Sequence, residues 1–267
     1  MEEIKEYHTE NIGFFIKPQR KIFESQSEYQ KIEIFEHEFF GKILRLDGVF
    51  QTSEYDDFVY HEPLVHTPLL LHSNPRDVLI IGGGDGGALR EILKHRSIEK
   101  IVLVELDSMV IDVSKKYLTS INQNSFDDPR VNLIIEDGRS YIKESNETFD
   151  VIILDLTDPN KESSDLYTKE FYELLSNSLN KNGILSLHAG SPIFARKDFL
   201  RILDNLKFIF SSVIFSSKFI PIYGTELAFV LCSNDPHILD REFRKDPEIL
   251  KGLKSFNLNK SELIKEW

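Results

Sequence analysis

The chain has a single cysteine, Cys232, so neither an internal disulfide nor a cysteine-built metal site can form; in the apolar run LAFVLCS it reads as buried and inert. No apolar run approaches the roughly twenty residues of a membrane helix. The opening MEEIKEYHTEN is charged and lacks the hydrophobic stretch of a signal peptide, which makes the cytoplasm the expected compartment. Positive charge is scarce, with 32 Lys and Arg against 44 Asp and Glu and a net charge of −12, and no basic patch is interleaved with aromatics. Nucleic acid and membrane are therefore excluded as expected partners. Repeats and low-complexity segments are also missing. What remains is a chain of 267 residues with 41% hydrophobic content, which suits one large α/β unit with a small appendage.

The chain is organised around RDVLIIGGGDGGALREILKH. An unbroken apolar run, Val78 to Ile81, enters a glycine-dense turn, Gly82 to Gly87, and leaves with Leu89, Ile92 and Leu93 at helical spacing. That predicts strand, tight loop and helix. Glycines leave no Cβ between backbone and ligand, and the free N–H groups of the helix start point into the same space. Gly82, Gly84 and Gly87 match G-x-G-x-x-G, a pattern that a merely tight βα turn also produces. Asp85 stands where a dinucleotide would bring its pyrophosphate, and like charges repel there. A cationic ligand fits this loop better than a phosphorylated one.

Before the loop, residues 12–51 carry alternating or short apolar runs (FFIK, KIFESQ, YQKIEIFEHE, GKILRLDGVFQ) split by Pro18, Gly41 and Gly48, which predicts a small antiparallel sheet of about four to six strands. A helix is expected from Ser53 or Glu54 through DDFVYHEPLVHTPLLLH, interrupted or kinked at Pro63 and Pro68. Its polar members Tyr60, His61 and Glu62 are read either as capping and solvated or as ligand-binding. The expected division is 1–53 as a β-strand domain and 54–267 as the catalytic domain. After the loop, KIVLVELD predicts a second buried strand ending at Glu105, an acid placed to accept from both ribose hydroxyls of a nucleoside or else an ordinary strand-end acid; Asp107 is read as a cap of the next helix. VNLIIEDG and FDVIILDLTDP follow as strands ending in Asp137 and in Asp155 and Asp158. Successive βα units put these acids along one edge, where open parallel sheets bind ligands. YTKEFYELLSNSL predicts a helix stopped by Asn182-Gly183, then ILSLHA a strand, RKDFLRILDNLKFIF a helix, and SSVIFSS and ELAFVLCSN an antiparallel closing pair. Residues 235–267 read as a helix and tail.

GGGDGG, with QTSEYDDFVYHE before it and DLTDP after it, resembles the aminopropyltransferases, the spermidine synthase family; SEYQ, LDGVFQT, DDPR, EDG, LYTKEFY and IPIYG extend the match over roughly residues 7–233. The resemblance implies a Rossmann-like, methyltransferase-type α/β domain with a small N-terminal antiparallel β-domain, assembled as homodimers or homotetramers. It implies transfer of the aminopropyl group of decarboxylated S-adenosylmethionine, the co-substrate, to a small-molecule amine, putrescine first, with no metal and no resident cofactor. By motif match Gln30, Gly82, Gly84, Asp85, Glu105, Asp137 and Gly138 would hold the donor or methylthioadenosine. Tyr60, His61, Asp158 and Tyr223 would line or bind the acceptor, and Asp155 takes the proton-acceptor position. An alkylammonium has a pKa near 10.4, so a base is required at the reacting nitrogen.

The sequence departs from the family in places that bear on the acceptor. Leu156 replaces a small polar residue, Asn160, Lys161 and Glu162 replace an I-G-P turn, and His188 replaces a common glutamine. Agmatine, or spermidine giving a longer product, is the alternative acceptor. An S-adenosylmethionine-dependent methyltransferase and a non-catalytic nucleoside-binding protein are the readings from other classes.

Overall fold

Alternating apolar residues at the N-terminal end fold as strands. In the computed structural model, which describes residues 1–157, 166–256 and 263, β1 (Ile4–Tyr7) and β2 (Gly13–Ile16) form an antiparallel hairpin. The strands β3 (Arg20–Gln26), β4 (Lys31–His37), β5 (Gly41–Leu46) and β6 (Val49–Ser53) form a separate antiparallel meander. The expected single sheet is thus two. The hydrophobic pattern misses β1 because its one buried residue is a glutamate, Glu6.

The helix α1 (Asp57–Leu71) begins later than expected, since Ser53 still pairs with Ile43 and the Glu54 N–H donates to Lys42 O. Pro63 and Pro68 both lie inside it without ending it. Pro68 has no N–H for the carbonyl of Leu64; the Ser186 hydroxyl donates to that carbonyl instead, at 2.7 Å. Tyr60, His61 and Glu62 are buried, not solvated.

The remaining elements alternate: β7 (Asp77–Gly82), α2 (Gly87–Leu93), β8 (Lys100–Glu105), α3 (Ser108–Tyr117), α4 (Thr119–Asn122), β9 (Val131–Ile135), α5 (Gly138–Glu144), β10 (Phe149–Asp155), α6 (Lys169–Asn177), β11 (Leu179–His188), α7 (Arg196–Ile209), β12 (Ser212–Ile220), β13 (Thr225–Ser233) and α8 (Pro247–Gly252). They build a seven-stranded sheet in the order β12-β13-β11-β10-β7-β8-β9, in which β13 alone runs antiparallel to the other strands. Its apolar runs are buried on both faces with period two. Val78, Ile80, Ile101 and Ile153 face a core shared with Leu64 and Leu89, while Leu79, Ile81, Val102 and Leu154 face one shared with Tyr172 and Phe199. Asn182-Gly183 does not stop a helix as expected. Helix α6 has already ended at Asn177, and the pair lies inside β11, where Asn182 at φ 69° accompanies a register shift against β10.

Strand β7 is flanked by β8 on one side and β10 on the other, so the chain reverses its direction across the sheet at this strand. A crevice opens at such a switch point, beyond the strand C-termini. Residues after 235 do more than trail. Phe243 and Ile249 pack with Leu70 and Leu71, and the Glu62 carboxylate accepts from the N–H groups of Lys254, Ser255 and Phe256 at 2.7–2.8 Å. Among the described residues no helix is long and apolar enough to cross a membrane.

Candidate active site

Asp85 follows β7, Glu105 ends β8, Asp137 follows β9 and Asp155 ends β10, so four strand C-termini deliver four carboxylates to one edge of the sheet. All four line one cavity of about 400 Å³, together with Gln30, Gly82, Gly84, Gly138, Tyr60, His61 and Tyr223. Of the residues singled out in the sequence, Asp158 lies outside the described residues, as do Asn160, Lys161 and Glu162.

The glycine loop owes its composition to crowding. Gly82 takes φ +84°, and a Cβ there would fall 2.2 Å from the Asp155 carbonyl oxygen; the same oxygen accepts the Gly83 N–H at 2.9 Å. At Gly87 a Cβ would fall 2.2 Å from the His61 ring, so the third glycine of the pattern seats an imidazole. The Gly87 N–H donates to Asp85 Oδ1 at 2.8 Å. The helix start therefore already faces an anion of the chain itself, which disfavours a phosphate there.

His61 Nε2 lies 3.5 Å from Asp85 Oδ2 and 4.0 Å from Asp155 Oδ2, and Nδ1 lies 3.6 Å from Asp57 Oδ2. Burial alone would push the imidazole pKa down, but Asp85, Asp57 and Asp155 outweigh it and hold His61 protonated well above the ordinary histidine value. Burial raises Asp85, and the His61 cation more than reverses this, leaving Asp85 below the ordinary carboxylate range. Asp155 goes the other way, raised by burial and by the Asp85 charge against the pull of His61. Tyr60 Oη donates to Asp155 Oδ1 at 2.9 Å, and burial followed by the Asp155 charge keeps that phenol protonated far above its usual value. Asp155 Oδ2 is buried and has no hydrogen-bond partner among the described residues. One firmly ionised carboxylate and one more basic carboxylate with an unpartnered oxygen thus stand together at the Nε2 end of an imidazolium.

On the other side of the cavity burial pushes the Glu105 carboxyl up to about 7. Asp107 accepts the Met109 N–H as the N-cap of α3, and takes Ser27 Oγ at 2.6 Å and Gln30 Nε2 at 3.1 Å, which ties the meander to this wall. Asp137 caps α5 through the Ser140 N–H. Among the described residues, His61, Asp85 and Asp155 are the set whose ligand atoms, all within 4.8 Å of one another, could hold a metal ion. The Asp85 and Asp155 oxygens of this set also suit ammonium groups, which two carboxylates bind without a coordination geometry.

Some residues of the site carry no clear signal in the sequence. Arg90 pairs with Asp57 at 2.6 Å and with Glu91, behind His61. The i, i+4 spacing of Asp57 and His61, and a lone arginine in the apolar helix ALREILKH, are the traces that could have revealed this. A smaller cavity of about 60 Å³ shares Gln51, Tyr60, Leu156, Thr157 and Tyr223 with the large one and is also lined by Glu6, His8, His188, Ser191 and Thr225. Glu6 reaches it from β1, and nothing local in IKEY announces that.

Residues 57–242 match the family model described as spermine/spermidine synthase domain, and residues 4–54 match the model described as spermidine synthase tetramerisation domain. The polyamine aminopropyltransferase of Nitrosomonas europaea is 40% identical over 224 residues, 84% of this chain and 69% of that protein. The protein of the same name from a Thermoanaerobacter species is 41% identical over 238 residues, 88% of this chain and 86% of its own. Among solved structures, a spermidine synthase in complex with the transition-state analogue AdoDATO superposes with a TM-score of 0.87 at 37% identity, covering 96% of this chain and 87% of the other. The spermidine synthase from Thermotoga maritima gives 0.86 at 37% identity over 97% and 87%.

Proposed function

The chain belongs to the spermine/spermidine synthase family, and on that premise we propose that this enzyme transfers the aminopropyl group of decarboxylated S-adenosylmethionine to putrescine, giving spermidine and methylthioadenosine. The amine nitrogen attacks the propyl carbon bound to sulfur, the C–S bond breaks with its electron pair going to sulfur, and the nitrogen's proton passes to Asp155. Sulfonium is already a good leaving group, so the site must supply position and a proton acceptor. The observation that carries the reading is the pair of carboxylates, Asp85 and Asp155, held at the C-terminal ends of adjacent strands beside the imidazole of His61 and facing one cavity.

Asp85 receives the donor's free ammonium, which a phosphate-binding loop would repel. Gln30, Glu105, Asp137, Gly82, Gly84 and Gly138 hold the nucleoside, and Tyr60, His61, Tyr223 and Asp158 serve the acceptor. The smaller cavity, with the Glu6 carboxylate on its wall, lies past Tyr60 and Tyr223 and supports the far end of the amine. We further assign residues 1–53 to the β-domain and 54–267 to the catalytic domain, a homodimeric or homotetrameric assembly, and the cytoplasm as its compartment. The match of residues 4–54 to a tetramerisation model supports the assembly.

The acceptor is tested by kcat/KM for putrescine, agmatine and spermidine at one pH, because discrimination lives in that ratio. Putrescine is expected to exceed both others. An advantage above about a hundredfold, roughly 2.7 kcal/mol, marks a dedicated putrescine enzyme; a higher value for agmatine or spermidine overturns putrescine as the acceptor.

A further inference from the structure

Strand β10 ends at Asp155, yet the next carbonyls are not left to solvent. Three consecutive carbonyl oxygens each accept a hydrogen bond: Asp155 O from the Gly83 N–H at 2.9 Å, Leu156 O from His188 Nε2 at 2.7 Å, and Thr157 O from the Tyr167 hydroxyl at 3.3 Å. The first bond comes from the donor loop. The other two come from the opposite side, where His188 ends β11 and Tyr167 precedes α6.

His188 and Tyr167 are 2% and 0% exposed, and their polar atoms meet at 3.3 Å. A carbonyl only accepts, so the nitrogen facing Leu156 O must carry the hydrogen. The Gly190 N–H points at His188 Nδ1 at 3.4 Å, which requires a lone pair there. The ring is therefore the Nε2–H tautomer, fixed from both ends. The same ring stands 5.8 Å from that of Tyr60, the phenol on Asp155 Oδ1.

We propose that His188, with Tyr167, is a positioning residue for the transfer step: it fixes the backbone just after Asp155 so that this carboxylate holds its place between the donor loop and Tyr60. This rests on the function proposed above. Histidine in place of the family's common glutamine keeps the essential element, an N–H donor at the end of a side chain that reaches Leu156 O. Misplacing a reacting group by about an ångström can cost a hundredfold in rate.

The test compares H188A, H188Q and Y167F. For H188A we expect a 10- to 100-fold fall in kcat with methylthioadenosine affinity within about threefold of wild type, because the donor loop keeps its own bond to Asp155 O. H188Q is expected to recover most of that loss, and Y167F to lose less than H188A. Turnover by H188A within about threefold of wild type overturns the proposal, and so does a loss in H188Q equal to that in H188A. A parallel loss of methylthioadenosine binding in both variants also overturns it. If the wild type turns over no amine, the proposed function fails by itself, and ¹⁵N-histidine NMR still tests the tether. A neutral Nε2–H tautomer at His188 supports it, and an Nδ1–H tautomer overturns it.

Discussion

Burial pushes the Glu105 carboxyl from an ordinary 4.5 up to about 7, and its ionised form accepts both ribose hydroxyls better than the neutral acid, one of whose oxygens carries a proton. Nucleoside binding should therefore release a proton. Methylthioadenosine affinity should weaken as pH falls through about 7, by up to tenfold per unit, and E105Q should flatten this dependence; calorimetry in buffers of different ionisation heat reads both. A wild-type affinity constant between about pH 6 and 8 contradicts the assignment. The sign for stability is opposite to that of a salt-bridged acid. The folded protein holds this proton more tightly than the unfolded chain, so Glu105 contributes least strain below about pH 4.5 and destabilises progressively as pH rises towards 7. Asp85 makes a second prediction at this scale. D85N removes the partner of the donor's ammonium, so decarboxylated S-adenosylmethionine should lose at least about tenfold in affinity, a charge-assisted bond being worth about 1.5–3 kcal/mol. Methylthioadenosine, which lacks that group, should lose less. Equal losses measured by titration would make Asp85 a loop-capping residue through its bond to the Gly87 N–H.

Among the elements, α1 departs most from its sequence reading. Its prolines predict a break, and by pattern alone its polar residues are as compatible with solvent as with a site. It survives because partners distant in sequence complete it: Ser186 on the Leu64 carbonyl, Arg244 on Leu69 O, and Glu62 holding the backbone at 254–256. Such contacts leave no local periodicity, which is also why residues 235–267 carry no readable role. E62Q should cost about 1–3 kcal/mol of stability, because three backbone donors lose a charged acceptor. Chemical denaturation reads the loss, and hydrogen exchange should rise first at Lys254 to Phe256. Unchanged stability and exchange would mean that this contact holds nothing in place. By contrast β7, β8 and β10 were legible directly, since unbroken apolar runs of this length bounded by glycine or acids belong to buried parallel strands.

At the scale of the whole molecule, strand order gathers the carboxylates. The sequence places an acid at or just after the end of each of four strands, and a parallel sheet that reverses at β7 puts those ends together. The four acids were therefore foreseeable as a set, whereas the depth of His61 was not, because it depends on a missing Cβ at Gly87 and on Arg90 and Asp57 behind the ring. Glu6 was equally hidden, arriving from a hairpin outside both larger sheets. The net charge of −12 gains meaning only in this light, as four of its carboxylates converge on one cavity, which suits the cationic substrates proposed above. The central claim is that Asp155 takes the proton during aminopropyl transfer. Its most direct test is the rate at which D155N forms spermidine and methylthioadenosine from decarboxylated S-adenosylmethionine and putrescine, with mass detection and with methylthioadenosine affinity measured alongside. The predicted result is a loss of about 10² to 10⁴-fold in turnover with affinity within about threefold of wild type; a loss of about tenfold or less would contradict it.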